Sequence, residues 1–242
     1  MTATKNPIFC AIDTSDPAKA ARLVAQVKDR VHGLKLGLEY FMANGAEGYR
    51  KLVPEGVPVF LDVKLHDIPN TVAGAVKSLA TLKPTFITLH TSGGPAMMRA
   101  AADAASQSAQ SFGSPRLKVL GVTVLTSLDK SDLAAVGQGG ADVDVSAQVV
   151  KLAKLAKASG LDGVVCSPEE VKTLRAELGP DFELMVPGIR PIWAAANDQK
   201  RVLTPREAVD AGASWLVIGR PITGAKDPAE AAAKIAEELA TA

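Results

Sequence analysis

Cysteine is scarce in this chain: 242 residues carry two, Cys10 and Cys166, both inside apolar runs. A disulfide framework needs more cysteines in a smaller chain, so the sequence predicts a reducing compartment and two small, buried, apolar thiols. Long hydrophobic runs are missing as well. No stretch approaches the roughly eighteen consecutive apolar residues of a membrane-spanning helix. The run Ile8–Ile12 is too short for a signal-peptide core and leads into an acid, Asp13. The expectation is a cytoplasmic protein with no membrane partner. Neither sign of charge dominates, with 27 Lys and Arg against 26 Asp and Glu, a formal charge of +1. Such a balance carries no electrostatic footprint for nucleic acid, although one or two arginines suffice to hold a phosphate. Metal-ligand spacing is absent too: His32, His66 and His90 lie far apart, and none pairs with cysteine or carboxylate at zinc-like spacing. There is no P-loop pattern, and Gly137-Gln138-Gly139-Gly140 follows no strand and lacks the rest of a dinucleotide fingerprint. Ser127 has no histidine partner that sequence can place, which leaves a nucleophilic triad unsupported.

What is present is a regular alternation. The 47% hydrophobic content is ample for a core. Short runs rich in Val, Ile, Leu and Phe predict strands covered on both faces at Ile8–Asp13, Leu34–Leu38, Val59–Lys64, Phe86–His90, Val119–Leu125, Gly163–Cys166, Leu184–Val186 and Trp215–Ile218. Helical periodicity fills the intervals at Pro17–Arg30, Ala43–Leu52, Thr71–Leu82, Pro95–Ser108, Val145–Ser159, Pro168–Leu178, Pro205–Asp210 and Pro228–Leu239. Asp16-Pro17, Ser167-Pro168, Thr204-Pro205 and Asp227-Pro228 supply a capping side chain before a first-turn proline. Gly160, Gly179 and Gly212 stand where helices should stop. Ser106–Pro115 reads as a loop. Eight β-then-α units in about 250 residues fit a closed (β/α)₈ barrel, a TIM barrel in the α/β class, better than an open doubly wound sheet. No linker interrupts the series, so residues 1–242 read as one domain.

Barrels of this kind place their chemistry at the carboxyl ends of the strands. There the sequence carries Asp13, Lys35, Asp62, Lys64, Thr126, Ser127, Gly188, Arg190, Gly219 and Arg220. Strand alternation puts Asp62 and Lys64 on one face and Leu61, Val63 and Leu65 on the other, so the charges should point into the barrel. A structural ion pair is the bland alternative, but buried charge is inferior to apolar packing as a source of stability. Function explains it better at this end of a barrel. Lys35, flanked by leucines, could simply snorkel; beside Asp62 and Lys64 it instead extends an array of alternating charge. His66 is near enough for a supporting role. Gly188 and Gly219, each beside an arginine, suggest a phosphate site after strands 7 and 8. The polar segment Arg190–Arg201 suggests a loop that closes on a ligand.

The run Asp62-Val63-Lys64-Leu65-His66-Asp67-Ile68-Pro69-Asn70-Thr71 resembles the signature of the orotidine 5′-phosphate decarboxylase family. The similarity continues through Ala11-Ile12-Asp13, Lys35-Leu36-Gly37, Leu125-Thr126-Ser127, Pro187-Gly188-Ile189-Arg190, Asp198-Gln199-Lys200-Arg201 and Val217-Ile218-Gly219-Arg220-Pro221-Ile222. The resemblance implies a cofactor-free carboxy-lyase of de novo pyrimidine biosynthesis that converts orotidine 5′-monophosphate to uridine 5′-monophosphate. By the same resemblance Lys64 protonates C6 of the pyrimidine, with Asp62 and Lys35 as charged neighbours and Lys35 also reaching the ribose. Asp13 holds a ribose hydroxyl, Thr126 and Ser127 the pyrimidine edge, and Gln199, Gly219 and Arg220 the phosphate. Arg190 closes the phosphate loop, and Ile68 and Pro187 complete the substrate contacts. Asp67 and Thr71 are expected to serve the neighbouring subunit's site, which makes the protein a homodimer with shared active sites. Two rivals share the barrel. A metal-dependent sugar-phosphate decarboxylase or aldolase needs a carboxylate after strand 2, where Glu39 lies; a non-catalytic phosphate-binding barrel has no need of the lysine–aspartate array.

Overall fold

The computed structural model describes residues 6–138, 143–194 and 203–240. Eight parallel strands close on themselves in sequence order: β1 Ile8–Ala11, β2 Gly33–Gly37, β3 Val59–Leu65, β4 Phe86–His90, β5 Lys118–Val122, β6 Gly163–Val165, β7 Glu183–Val186 and β8 Trp215–Ile218, with β8 pairing back to β1. This is a (β/α)₈ TIM barrel. The helices are α1 Pro17–Val27, α2 Leu38–Leu52, α3 Pro69–Ala80, α4 Gly94–Phe112, α5 Lys130–Ala135, α6 Val145–Ala158, α7 Val171–Leu178, α8 Pro205–Asp210, α9 Arg220–Thr223 and α10 Pro228–Ala240. No helix among the described residues is long and apolar enough to cross a membrane.

Alternation along each strand divides the core in two. Inward residues such as Phe9, Phe60, Phe86, Leu120, Met185 and Trp215 fill the barrel. Their outward neighbours, among them Ile8, Cys10, Leu34, Leu61, Ile87 and Leu184, pack under the helices. That second layer is why the strands read as continuous apolar runs rather than alternating ones. The helix starts follow the anticipated chemistry. The Asp16 carboxylate accepts from the Ala18 and Lys19 amides, and the Thr204 hydroxyl accepts from the Glu207 amide while the Glu207 carboxylate accepts from the Thr204 amide. Asp227 likewise accepts from the Ala229 and Glu230 amides.

Several boundaries differ from those predicted. Strand β2 ends at Gly37, and α2 begins at Leu38 rather than Ala43; a left-handed Gly45 (φ 63°) joins two helical pieces that periodicity alone registers as one late start. Strand β5 stops at Val122, short of Leu125. The supposed loop from Ser106 is instead the end of α4, which continues to Phe112 and is capped by left-handed Gly113. Ser106, Ser108 and Ser111 donate to the carbonyls four residues back, so their hydroxyls are satisfied within the helix instead of ending it. The short helices α5 and α9 were not apparent in the sequence.

Candidate active site

Strand β3 does not run regularly to its end. Leu61 pairs with Ile87 and Leu65 with Leu89, so four steps along β3 match only two along β4. Lys64 absorbs the excess in the left-handed region, at φ 48°. A non-glycine residue there costs about 1–3 kcal/mol and persists only where its surroundings hold it. Thr88 does so from β4: its Oγ1 accepts from the Lys64 amide at 2.9 Å and donates to Asp62 Oδ1 at 2.8 Å. One buried hydroxyl therefore repairs the broken ladder and orients the neighbouring carboxylate.

Four charged groups then follow one another across the top of the barrel. Lys64 Nζ lies 2.6 Å from Asp62 Oδ2, Lys35 Nζ lies 4.0 Å from the same oxygen, and Lys35 Nζ lies 2.9 Å from Asp13 Oδ1. Asp62 is 9% exposed, within the range of core residues. Gly37 leaves room beside this array: a Cβ at that position would come within 2.8 Å of Lys35 Nζ and would displace that ammonium.

These groups line a cavity of about 390 Å³, a size suited to a small molecule. Its other walls differ in character. Val122, Val124, Leu125, Val165 and Val217 form an apolar side, with Thr126 and Ser127 at its edge. Pro187, Gly188, Arg190, Gly219 and Arg220 form a second polar side from the ends of β7 and β8. Gly188 is left-handed (φ 79°), which turns the chain after β7 back towards the cavity. Arg190 is buried, and its amide donates to the Leu203 carbonyl at 3.0 Å, pinning the base of the connection between β7 and α8. Cys166 also reaches the wall, and burial pushes its thiol far above the ordinary range; burial, followed by the charge of Asp13, pushes Cys10 up to about 12. Neither is poised as a nucleophile.

The structure thus brings together Asp13, Lys35, Asp62, Lys64, Thr126, Ser127, Pro187, Arg190, Gly219 and Arg220 around one cavity. Asp67, Ile68 and Thr71 stand outside it. All three are exposed, Ile68 to 67%, on the turn into α3, where the Asp67 carboxylate accepts from the Ile68 amide at 2.7 Å. Gln199 lies outside the described residues. Glu39 sits exposed in the first turn of α2 and does not line the cavity. The His66 and His90 rings are 5.6 Å apart beside β3. Burial first, then the charges of His66 and Lys64, holds His90 below the usual imidazole range. Sequence reasoning missed Thr88; its one signal was a polar residue at an inward position of an otherwise apolar strand.

Comparison with known proteins agrees over nearly the whole length. Residues 6–235 match the model of the orotidine 5′-phosphate decarboxylase / HUMPS family. An orotidine 5′-phosphate decarboxylase of Rhodospirillum rubrum is 52% identical, covering 98% of this chain and 95% of the relative. One from Paramagnetospirillum magneticum is 54% identical, covering 97% and 98%. The crystal structure of the Lactobacillus acidophilus orotidine 5′-phosphate decarboxylase superposes with a TM-score of 0.83 at 38% identity, covering 97% and 99% of the two chains. With a closed barrel, a charged cavity at its carboxyl end and relatives of this closeness, the chain belongs to the orotidine 5′-phosphate decarboxylase / HUMPS family.

Proposed function

We propose that this chain is the decarboxylase of the family, converting orotidine 5′-monophosphate to uridine 5′-monophosphate and CO₂ without a cofactor, with Lys64 as the proton donor. One observation carries the reading: the Lys64–Asp62–Lys35–Asp13 chain of alternating charge set against an apolar wall. Breaking the bond from C6 to the carboxylate leaves an electron pair in the plane of the ring, where the π system cannot delocalise it. Stabilisation must then come from fixed charge in a water-poor pocket. The Lys64 ammonium, oriented by Asp62, is such a charge, and it transfers a proton to C6 as CO₂ departs. Neutral Lys64 regains a proton from solvent before the next turnover. Asp62, held by Thr88, would repel a substrate carboxylate seated beside it and be relieved of that repulsion as CO₂ leaves.

Remote contacts supply binding. Gly219, Arg220 and Gln199 suit a phosphate, Arg190 the closure of its loop, and Asp13 and Lys35 the ribose; Thr126 and Ser127 suit the pyrimidine edge, and Pro187 adds a further substrate contact. Phosphate binding of this kind lowers the barrel's transition-state energy without touching the reacting carbon. The same reading makes the barrel one catalytic domain of a cytoplasmic homodimer in pyrimidine biosynthesis, with Asp67, Ile68 and Thr71 serving the site of the second copy. Their exposed position outside their own cavity supports it.

The sugar-phosphate rival has less support. Lys35 occupies the space between Asp13 and Asp62 that a cation would need, and among the described residues no group of three His, Cys, Asp or Glu side chains is placed to hold a metal. The deciding test is an absorbance assay with orotidine 5′-monophosphate in EDTA, which should show undiminished turnover. Activity abolished by the chelator and restored by Mg²⁺ would favour the rival.

A further inference from the structure

Beyond the cavity, the segment after β7 makes a contact that the proposed chemistry does not use. Trp193 follows Arg190 by three residues, and the Lys234 ammonium of α10 lies 4.8 Å from the centre of its ring. Trp193 is 40% exposed while its neighbour Ile192 is 84% exposed, so the indole is laid down and the isoleucine is not. The Ala194 amide donates to the Pro191 carbonyl at 3.0 Å, a tight turn that presents the indole from the chain. Helix α10 also packs against α9, whose first residue is Arg220. Both arginines of the cavity rim are therefore tied to one helix, Arg220 through α9 and Arg190 through Trp193.

We infer that Trp193 and Lys234 form a cation–π latch that holds the segment after β7 where Arg190 faces the cavity, making both positioning residues for the phosphate side of the site. Arg190 is held on its other side by its amide bond to Leu203 and by the adjoining Ile189–Leu203 bridge, which set the base of the connection. The latch adds a fixed point three residues further on, at Trp193. An exposed contact of this type changes an equilibrium about two- to five-fold, so its loss should raise the ratio of released to held Arg190 by that factor. This role rests on the decarboxylase reading, whereas the latch itself does not.

Two measurements separate them. Acrylamide quenching reads the latch without substrate, because the other tryptophan, Trp215, is buried and the quenchable emission belongs to Trp193. Lys234→Gln should increase the quenching and Lys234→Arg should not. Steady-state assays then read the positioning. Lys234→Gln and Trp193→Ala should each raise KM for orotidine 5′-monophosphate about two- to five-fold with kcat little changed. The double variant should be no worse than either single, and Lys234→Arg should restore the parent value. Unchanged quenching in Lys234→Gln, or two KM effects that multiply in the double variant, would overturn the latch. Increased quenching with unchanged KM would overturn its positioning role. Absence of turnover in the unsubstituted protein would instead overturn the decarboxylase reading, and the quenching result would still stand.

Discussion

The two ends of the barrel use similar residues to opposite purposes. At the amino end of the strands, Lys118 pairs with Glu183, and the other Glu183 oxygen accepts from Trp215 Nε1 at 2.8 Å. Phe9 packs edge-on against Phe60, Phe86 and Trp215 above them. Arg175 donates to the carbonyls of Gly179, Pro180, Phe182 and Gly212 and to Ser214 Oγ. Polar groups here are bonded to one another or to backbone carbonyls, and Lys118 still keeps 44% of its side-chain surface exposed. At the carboxyl end, by contrast, Lys64 and Lys35 share one Asp62 oxygen, Lys64 sits in a strained backbone, and the whole array opens on a cavity. The amino-end charges line no part of that cavity, whereas the carboxyl-end charges form its wall.

The contrast is sharpest for Lys64, the proposed proton donor. Lys64→Ala should lower kcat by about 10⁴-fold or more, since it removes both the acid and the fixed charge. Asp67→Ala should be nearly inactive too, though Asp67 lies outside its own cavity. Mixed under conditions of subunit exchange, the two variants should recover activity: with about half the dimers mixed and one native site in each, roughly a quarter of the parent activity returns. Inactive mixtures with demonstrated exchange would show that each site is built from one chain. Arg220→Ala comes next. Loss of a charge-assisted phosphate contact should weaken uridine 5′-monophosphate about ten- to a hundred-fold in calorimetry, with an unaltered melting temperature.

The amino end should respond in reverse. Arg175→Ala leaves several carbonyls without a donor and should cost about 3 kcal/mol of stability in urea melts, while kcat per folded molecule stays within about two-fold. A large kcat loss in that variant would erase the distinction between the ends. The smallest effect concerns His90. Its depressed imidazole favours the neutral form in the folded state, so this contribution to stability is present above the unfolded-state value and lost as pH falls through the folded one. The melting temperature of His90→Gln should therefore fall less than that of the parent between about pH 7 and pH 5.

Much of the architecture was legible because apolar runs alternate regularly with helical periods, and four of the helical stretches open on a capping residue before a first-turn proline. Where structure departs from sequence, a local interaction outweighed the general tendency. The serines of α4 bond their own helix, and Gly45 bends α2 instead of ending it. At the candidate site, alternation placed Asp62 and Lys64 on a common face, and they do share the cavity; yet β3 is irregular between them, a feature that no property of the β3 sequence announced. The polar Thr88 at an inward position of β4 was the one hint of it, but its role exists only where the two strands lose register. Asp67, Ile68 and Thr71 entered through family resemblance alone, and nothing in their spacing distinguishes a residue that faces its own cavity from one that faces away.

The irregularity in β3 bears on any attempt to transplant this chemistry to another barrel. Grafting Asp13, Lys35, Asp62 and Lys64 onto regular strands would set the last two about 6.6 Å apart along a flat ribbon, without the bend that lets the ammonium settle on the carboxylate. The minimal exportable unit is therefore larger than the four side chains. It includes two additional residues of backbone, a left-handed lysine, and a threonine on the next strand that no list of charged groups would contain.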